Sequence, residues 1–195
     1  RQSQDVEKMD TILFKFQGGP YYSLFLDIVK NPDDLLSEKV IPYYNYSMGG
    51  VTSIQERQAY IVEFDMKDNV EYPLYKGKIY IDILSKAILG ADFRISPKKL
   101  DIAARYLITK QPLSMRTSVE KAEYTVKYRL VDNKWTLSYV RSDLHYRVNW
   151  KRRLFNSNYY VISEMAITDI DNTDVTKFRW RESLSSRDII SEEIS

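Results

Sequence analysis

The chain has 195 residues, 44% of them hydrophobic and 29% charged, with a formal net charge of +2. That balance excludes an intrinsically disordered chain, and the near-neutral charge argues against a nucleic-acid partner. Cysteine is absent, which excludes disulfides, thiol catalysis and thiolate metal sites. No run approaches the eighteen or so apolar residues that would span a bilayer, and no signal-peptide pattern opens the chain. Because Arg1 and not Met stands first, the expectation is a trimmed or processed chain that has lost any export signal.

Taken in order, Asp5 to Gln17 fits a helix through Val6, Met9, Leu13 and Phe16 and a strand through Ile12, Phe14 and Phe16; helix is the expectation. Gly18-Gly19-Pro20 then supplies a stop and a new start. A second helix is predicted to about Lys30 on the stripe Tyr21, Leu24, Phe25 and Ile28, ended by Asn31-Pro32. Asn31 to Ser37 adds a helical turn, and Ile41-Pro42 opens an irregular aromatic segment, PYYNYSMGG. Beyond the Gly49-Gly50 break, Val51 to Ile54 and Ala59 to Met66 read as strands. The stretch Lys76 to Ser96 is the clearest in the chain. Ile79, Ile81 and Ile83, then Leu89, Ala91, Phe93 and Ile95, alternate with polar neighbours and predict a β-hairpin whose register the isoleucines fix.

Ser96-Pro97 is a helix start, and Leu100, Ala103, Ala104, Leu107 and Ile108 predict a helix over 97–110. From Val119 the pattern is β again. Tyr124, Val126, Tyr128 and Leu130 alternate, Asp132-Asn133-Lys134 turns the chain, and a long strand follows. Its apolar parity shifts from Trp135, Leu137 and Tyr139 to Leu144, Tyr146, Val148 and Trp150. A β-bulge near Arg141 to Asp143 would return both sets to one core; without one, both faces of the sheet are apolar. Phe155 to Ile167 is a last strand, and 171–195 reads as a polar tail.

The sum is an α+β chain, mainly antiparallel β, in which a meander sheet of six or seven strands is capped by two or three helices. A single domain is expected over 1–170. Within it, 1–50 supplies the helical cap and aromatic segment, and 51–170 the sheet with its inserted helix. The order hairpin, helix, long strands, with Gly77, Ile79, Ile81 and Asp82 in YKGKIYID, resembles the curved half-barrel of periplasmic lipoprotein carriers and their outer-membrane acceptors. FQGGP (16–20), DIVKNP (27–32), EYPLYKGKIYID (71–82), WTLSYVRSDLHYRVNWKRRLF (135–155) and ISEMAITDID (162–171) resemble envelope proteins of Gram-negative anaerobes described as carboxypeptidase-regulatory-like-domain-containing. The resemblance covers nearly the whole chain. It implies a periplasmic or outer-membrane-associated location and no peptidase activity, since that name comes from an N-terminal immunoglobulin-like domain that this sequence lacks.

No catalytic residue, metal ligand or cofactor is assigned from the sequence. His145 is the only histidine; it and Asp143 lie two residues apart on one strand, about 7 Å along it and pointing in parallel, which argues against a triad. Asp169, Asp171 and Asp174 resemble the start of a calcium loop, but Asp174 and Trp180 occupy the places of its glycine and glutamate. Expected instead is a non-enzymatic envelope protein with an apolar groove for a lipid acyl chain or an apolar protein segment, an envelope protein being a second kind of partner. The groove would be lined by Tyr124, Val126, Tyr128, Leu144, Tyr146, Val148 and Trp150, with Lys151, Arg152 and Arg153 as a basic rim toward anionic head groups. The alternative is a surface module that binds glycans or proteins through exposed tyrosines.

Overall fold

The computed structural model describes residues 15–16, 20–151, 155–170 and 176. In chain order the elements are β1 (Lys15–Phe16), α1 (Pro20–Phe25), β2 (Tyr44–Ile54), β3 (Arg57–Met66), β4 (Tyr75–Asp82), β5 (Ile88–Ile95), α2 (Ala104–Leu107), β6 (Ile108–Lys110), β7 (Met115–Val131), β8 (Lys134–Trp150) and β9 (Ser157–Ala166). Short 3-10 turns cover Pro32–Asp34, Ile41–Tyr43 and Pro97–Ile102. Seven strands form one antiparallel sheet in the order β2-β3-β4-β5-β7-β8-β9, and β1 pairs separately with β6.

The hairpin read from Lys76 to Ser96 is present as β4 and β5, with Ile79, Leu89, Ala91, Phe93 and Ile95 buried. Two tight turns join long strands, Gln55-Glu56 between β2 and β3 and Asp132-Asn133 between β7 and β8. All four turn residues have positive φ, between 48° and 63°, as two-residue hairpin loops that match strand twist require. Gly77 has a different reason. A Cβ there would lie 2.2 Å from the Asp92 carbonyl oxygen and 2.6 Å from Cα of Phe93, so β4 and β5 approach too closely for any side chain, as at a tight bend in a sheet. Such a bend is consistent with a curved sheet.

One face of the sheet carries the core. Ile79, Ala91, Val126 and Val140 stand side by side in register on β4, β5, β7 and β8. They belong to one cluster with Ile28, Leu35 and Val40 from the segment after α1, and with Ala103 and Leu107 from the β5–β7 crossover. The chain's own short elements thus pack against that face. A buried polar lock ties the first of them down. Asp27 Oδ1 accepts hydrogen bonds from the Tyr128 hydroxyl (2.8 Å) and the backbone N–H groups of Val29 and Lys30.

Several expectations are corrected. The Gly49-Gly50 pair does not break the chain, because the aromatic segment before it belongs to β2 and the register merely shifts between Met48 and Gly50. The second helix stops at Phe25, where the Asp27 side chain takes over the following N–H groups. The helix expected over 97–110 is a 3-10 turn with non-helical dihedrals at Lys99, then the four-residue α2; β-branched Ile108 and Thr109 leave it to pair with β1. That pairing also places Lys15–Phe16 in a strand and not in a first helix, whose remaining residues lie outside those described, as does most of the expected tail.

Candidate functional site

The residues expected to line an apolar groove lie on the two longest strands. Tyr124, Val126 and Tyr128 on β7, with Leu144, Tyr146 and Val148 on β8, are all buried, none more than 7% exposed. Trp150 is half-buried at the end of β8, Lys151 is exposed, and Arg152 and Arg153 lie outside the described residues. The cause is a bulge, displaced from its expected place at 141–143. Lys127 pairs with Tyr139 and Tyr128 with Leu137, so Ser138 is the extra residue. From there on the buried parity of β8 changes from Leu137 to Val140, Ser142, Leu144, Tyr146 and Val148. A second extra residue, Glu120, does the same for β7 between Val119 and Ala122. Trp135 and Leu137 therefore share one core with Leu144 and Tyr146, Tyr139 turns to the other face, and the second apolar face that sequence parity allowed is not formed by the described residues of β8.

On the core side a cavity of 240 Å³ remains between α1 and the sheet, lined by Tyr22, Phe25 and Leu26 above and by Tyr75, Tyr124, Ser142, Leu107 and Asp34 below and beside it. Its aromatic wall is fixed by ring contacts. Phe93 stacks on Tyr124 at 5.3 Å, and Tyr75 meets both edge-on at 5.2 and 6.0 Å. Burial pushes the Tyr75 and Tyr124 hydroxyls well above the ordinary tyrosine range, so both stay neutral. Burial, and then the neighbouring Asp33, also raises the Asp34 carboxyl. The arrangement can hold an apolar group and offers it a few polar contacts at the edge. Of the sequence-predicted groove residues only Tyr124 lines this cavity. Its wall near α1 escaped the sequence because the stripe read there was Tyr21, Leu24, Phe25 and Ile28, of which Phe25 lines the cavity; the residues beside that stripe, Tyr22 and Leu26, supply the rest, and nothing in the local pattern marks them.

The other face is charged. Reading across the strands, one row runs Asn45, Asp65, Lys76, Arg94, Glu123 and Asp143, and the next runs Ser47, Glu63, Lys78, Asp92, Thr125, Arg141 and Glu164. Opposite charges meet at Lys78–Glu63 (3.1 Å), Lys121–Asp143 (2.8 Å) and Arg141–Glu164. Thr125 donates to Asp92 at 2.7 Å, and so does Tyr80 at 2.9 Å. His145 belongs to this lattice. Its Nε2 lies 2.8 Å from Asp143 Oδ1, so the two side chains converge where parallel strand vectors suggested that they would not. Lys121 holds the Asp143 carboxyl below the usual range, and the Tyr160 ring packs edge-on against the imidazole at 4.5 Å. Elsewhere on this face the Thr125 hydroxyl is engaged with Asp92.

Among the described residues no three His, Asp or Glu side chains are grouped to hold a metal ion, and no helix is long and apolar enough to cross a membrane. Of the three aspartates that resemble a calcium loop, Asp171 and Asp174 lie outside the described residues, and Asp169 accepts a hydrogen bond from the N–H of Ile170. The exposed pair Tyr43–Tyr72 meets edge-on at 73°, which makes no flat stacking platform. Comparison with protein-family models, curated proteins and solved structures finds no match for this chain.

Proposed function

We propose that this is a non-enzymatic cell-envelope protein, a half-barrel related in plan to the lipoprotein carriers, that takes the end of an acyl chain or an apolar side chain of a partner protein under α1. The observation that carries the reading is the aromatic cavity between α1 and the core face. At 240 Å³ it is smaller than the roughly 300–1,000 Å³ of pockets that enclose whole drug-sized ligands. A chain terminus or a single anchoring residue suits it better than a complete lipid. Leu24, Phe25 and Val29, each more than half exposed, continue the apolar surface outside the cavity, where the rest of such a ligand would lie. The envelope location rests on the motif resemblance.

The test is a titration with decanoate and with a solvatochromic dye. Saturable binding is expected, weakened about tenfold or more by Leu107→Trp, which fills the cavity. No saturable binding by the native protein, or equal binding by the variant, would leave the cavity a packing defect.

A further inference from the structure

A second and larger recess, of 490 Å³, lies on the charged face, across the same strands that back the aromatic cavity. Its floor is the backbone around Gly77, and its walls are the outward side chains of the two rows on either side. Three cations enter it. Lys76, Lys78 and Arg94 are each about half exposed, at 47, 49 and 50%.

Their placement is unusual in one respect. Lys76 and Arg94 are direct partners across β4 and β5, with Cβ atoms about 5 Å apart by strand geometry, and like charges so placed repel. The acids beside them give only partial relief. Asp65 lies 3.3 Å from Lys76 but also serves Lys98 at 3.7 Å and the Ser96 hydroxyl at 2.8 Å. Glu123 is 4.0 Å from Arg94, the outer limit of an ion pair. An anion seated between the two cations would receive a charge-assisted hydrogen bond from each. Glu63, Asp65 and Glu123, also in the walls, make the recess hostile to a polyanionic backbone. They would instead accept hydrogen bonds from hydroxyl groups.

We propose that the recess binds an acidic saccharide, its carboxylate or phosphate between Lys76 and Arg94 and its hydroxyls on the surrounding acids. The volume suits one or two sugar rings and falls within the ordinary range for ligand pockets. The site lies across the sheet from the apolar cavity, the two sharing only Tyr124 among their described lining residues, and the anion contact does not depend on stacking tyrosines.

The test is a nuclear magnetic resonance titration of the whole chain with glucuronate, glucose 6-phosphate, glucose and inorganic phosphate at low ionic strength. Saturable amide shifts confined to the neighbourhood of Gly77, Arg94 and Glu123 are expected for one or both acidic sugars, and which of them binds identifies the anion. Glucose and inorganic phosphate should bind at least about tenfold more weakly, and Lys76→Gln and Arg94→Gln should each weaken the acidic sugar about tenfold, the loss of one charge-assisted hydrogen bond. Lys151→Gln should leave it unchanged, and the spectra themselves report whether each variant is folded. Equal response to glucose, inorganic phosphate as effective as the sugar phosphate, insensitivity to both substitutions, or no saturable shift below about 20 mM would overturn the proposal.

Discussion

Two residues explain why the GKIYID phrase is written as it is. Gly77 sits where β4 and β5 close on each other, and Gly77→Ala forces a methyl carbon against the Asp92 carbonyl and the Cα and Cβ of Phe93; none of these atoms is the far end of a flexible side chain that could yield. We expect a loss of about 1–3 kcal/mol in urea-unfolding stability, from overpacking. A change of under 0.5 kcal/mol would mean that the bend relaxes freely. Asp82 ends the phrase, and at 1% side-chain exposure it is among the most buried acids described. Arg57 grips both its oxygens at 3.0 and 2.9 Å, and the hydroxyl and N–H of Ser85 bond to it at 2.6 and 2.7 Å. These contacts, Arg57 foremost, hold its carboxyl far below the ordinary carboxylate range. A depressed folded value stabilises above the unfolded value, about 3.9, and that contribution drains away as pH falls through the folded one. Melting temperature should therefore drop from about pH 4 downward. In Asp82→Asn it should start lower at neutral pH and fall less steeply, as thermal melts between pH 2 and 7 would record; parallel curves would assign the acid sensitivity elsewhere.

At the scale of elements, what was legible followed from how local the determining force is. β4, the Ala91–Ile95 part of β5 and the Tyr124–Tyr128 part of β7 alternate because each buries one face, and period two is written in their side chains. The β8 bulge was legible in kind but misplaced by three residues, and tyrosine is the reason. Tyr139 looked like a core residue of the first parity set, yet it lies on the charged face, its hydroxyl 3.0 Å from Glu164 and its ring 5.4 Å from the Lys127 ammonium. A side chain with an apolar body and a polar tip satisfies either face. The helix over 97–110 failed for the opposite reason: its stripe is real, since Ala103 and Leu107 are buried, but a strand partner more than ninety positions earlier claims its last turn, and no local pattern encodes that. The aromatic cavity was not legible because α1, the Asp34 turn and three strands meet there only in the fold. Ser138 gives the sharpest test. Ser138→Ala loses one hydrogen bond, to the Lys127 carbonyl, and should cost about 1 kcal/mol or less. Deleting Ser138 makes Leu137 and Tyr139 neighbours in the register they already hold opposite Tyr128 and Lys127, so the ladder closes without a bulge and Arg141, Asp143 and His145 stay outward; that variant should still melt cooperatively, with a stability change of about 1–3 kcal/mol from the altered local twist. A deletion variant that does not fold would show that the bulge itself, and not only the side-chain parity on either side of it, is needed to hold β8 against β7 and β9.

On the scale of the molecule, the sheet divides two environments. One side is a single apolar core shared by strands and short covering elements, and the other is a lattice of paired charges. Exposed ion pairs contribute little individually, so the lattice serves mainly to keep that side wet and to fix which side faces out. The strand order has a further effect, on time. Every strand of the large sheet from β2 to β9, apart from the short β6 detour, lies beside the one made just before it. Few contacts in that sheet wait for a distant part of the chain, which lowers the entropy of loop closure and favours fast folding for a β protein. The strands can add one at a time as they leave the ribosome, each covering the open edge of the last. The exception is the excursion from Ser96 to Ser114 between β5 and β7, so the sheet's longest wait comes there, when only β2 to β5 have been made and the charged rows on β5 still lack Glu123 and Thr125.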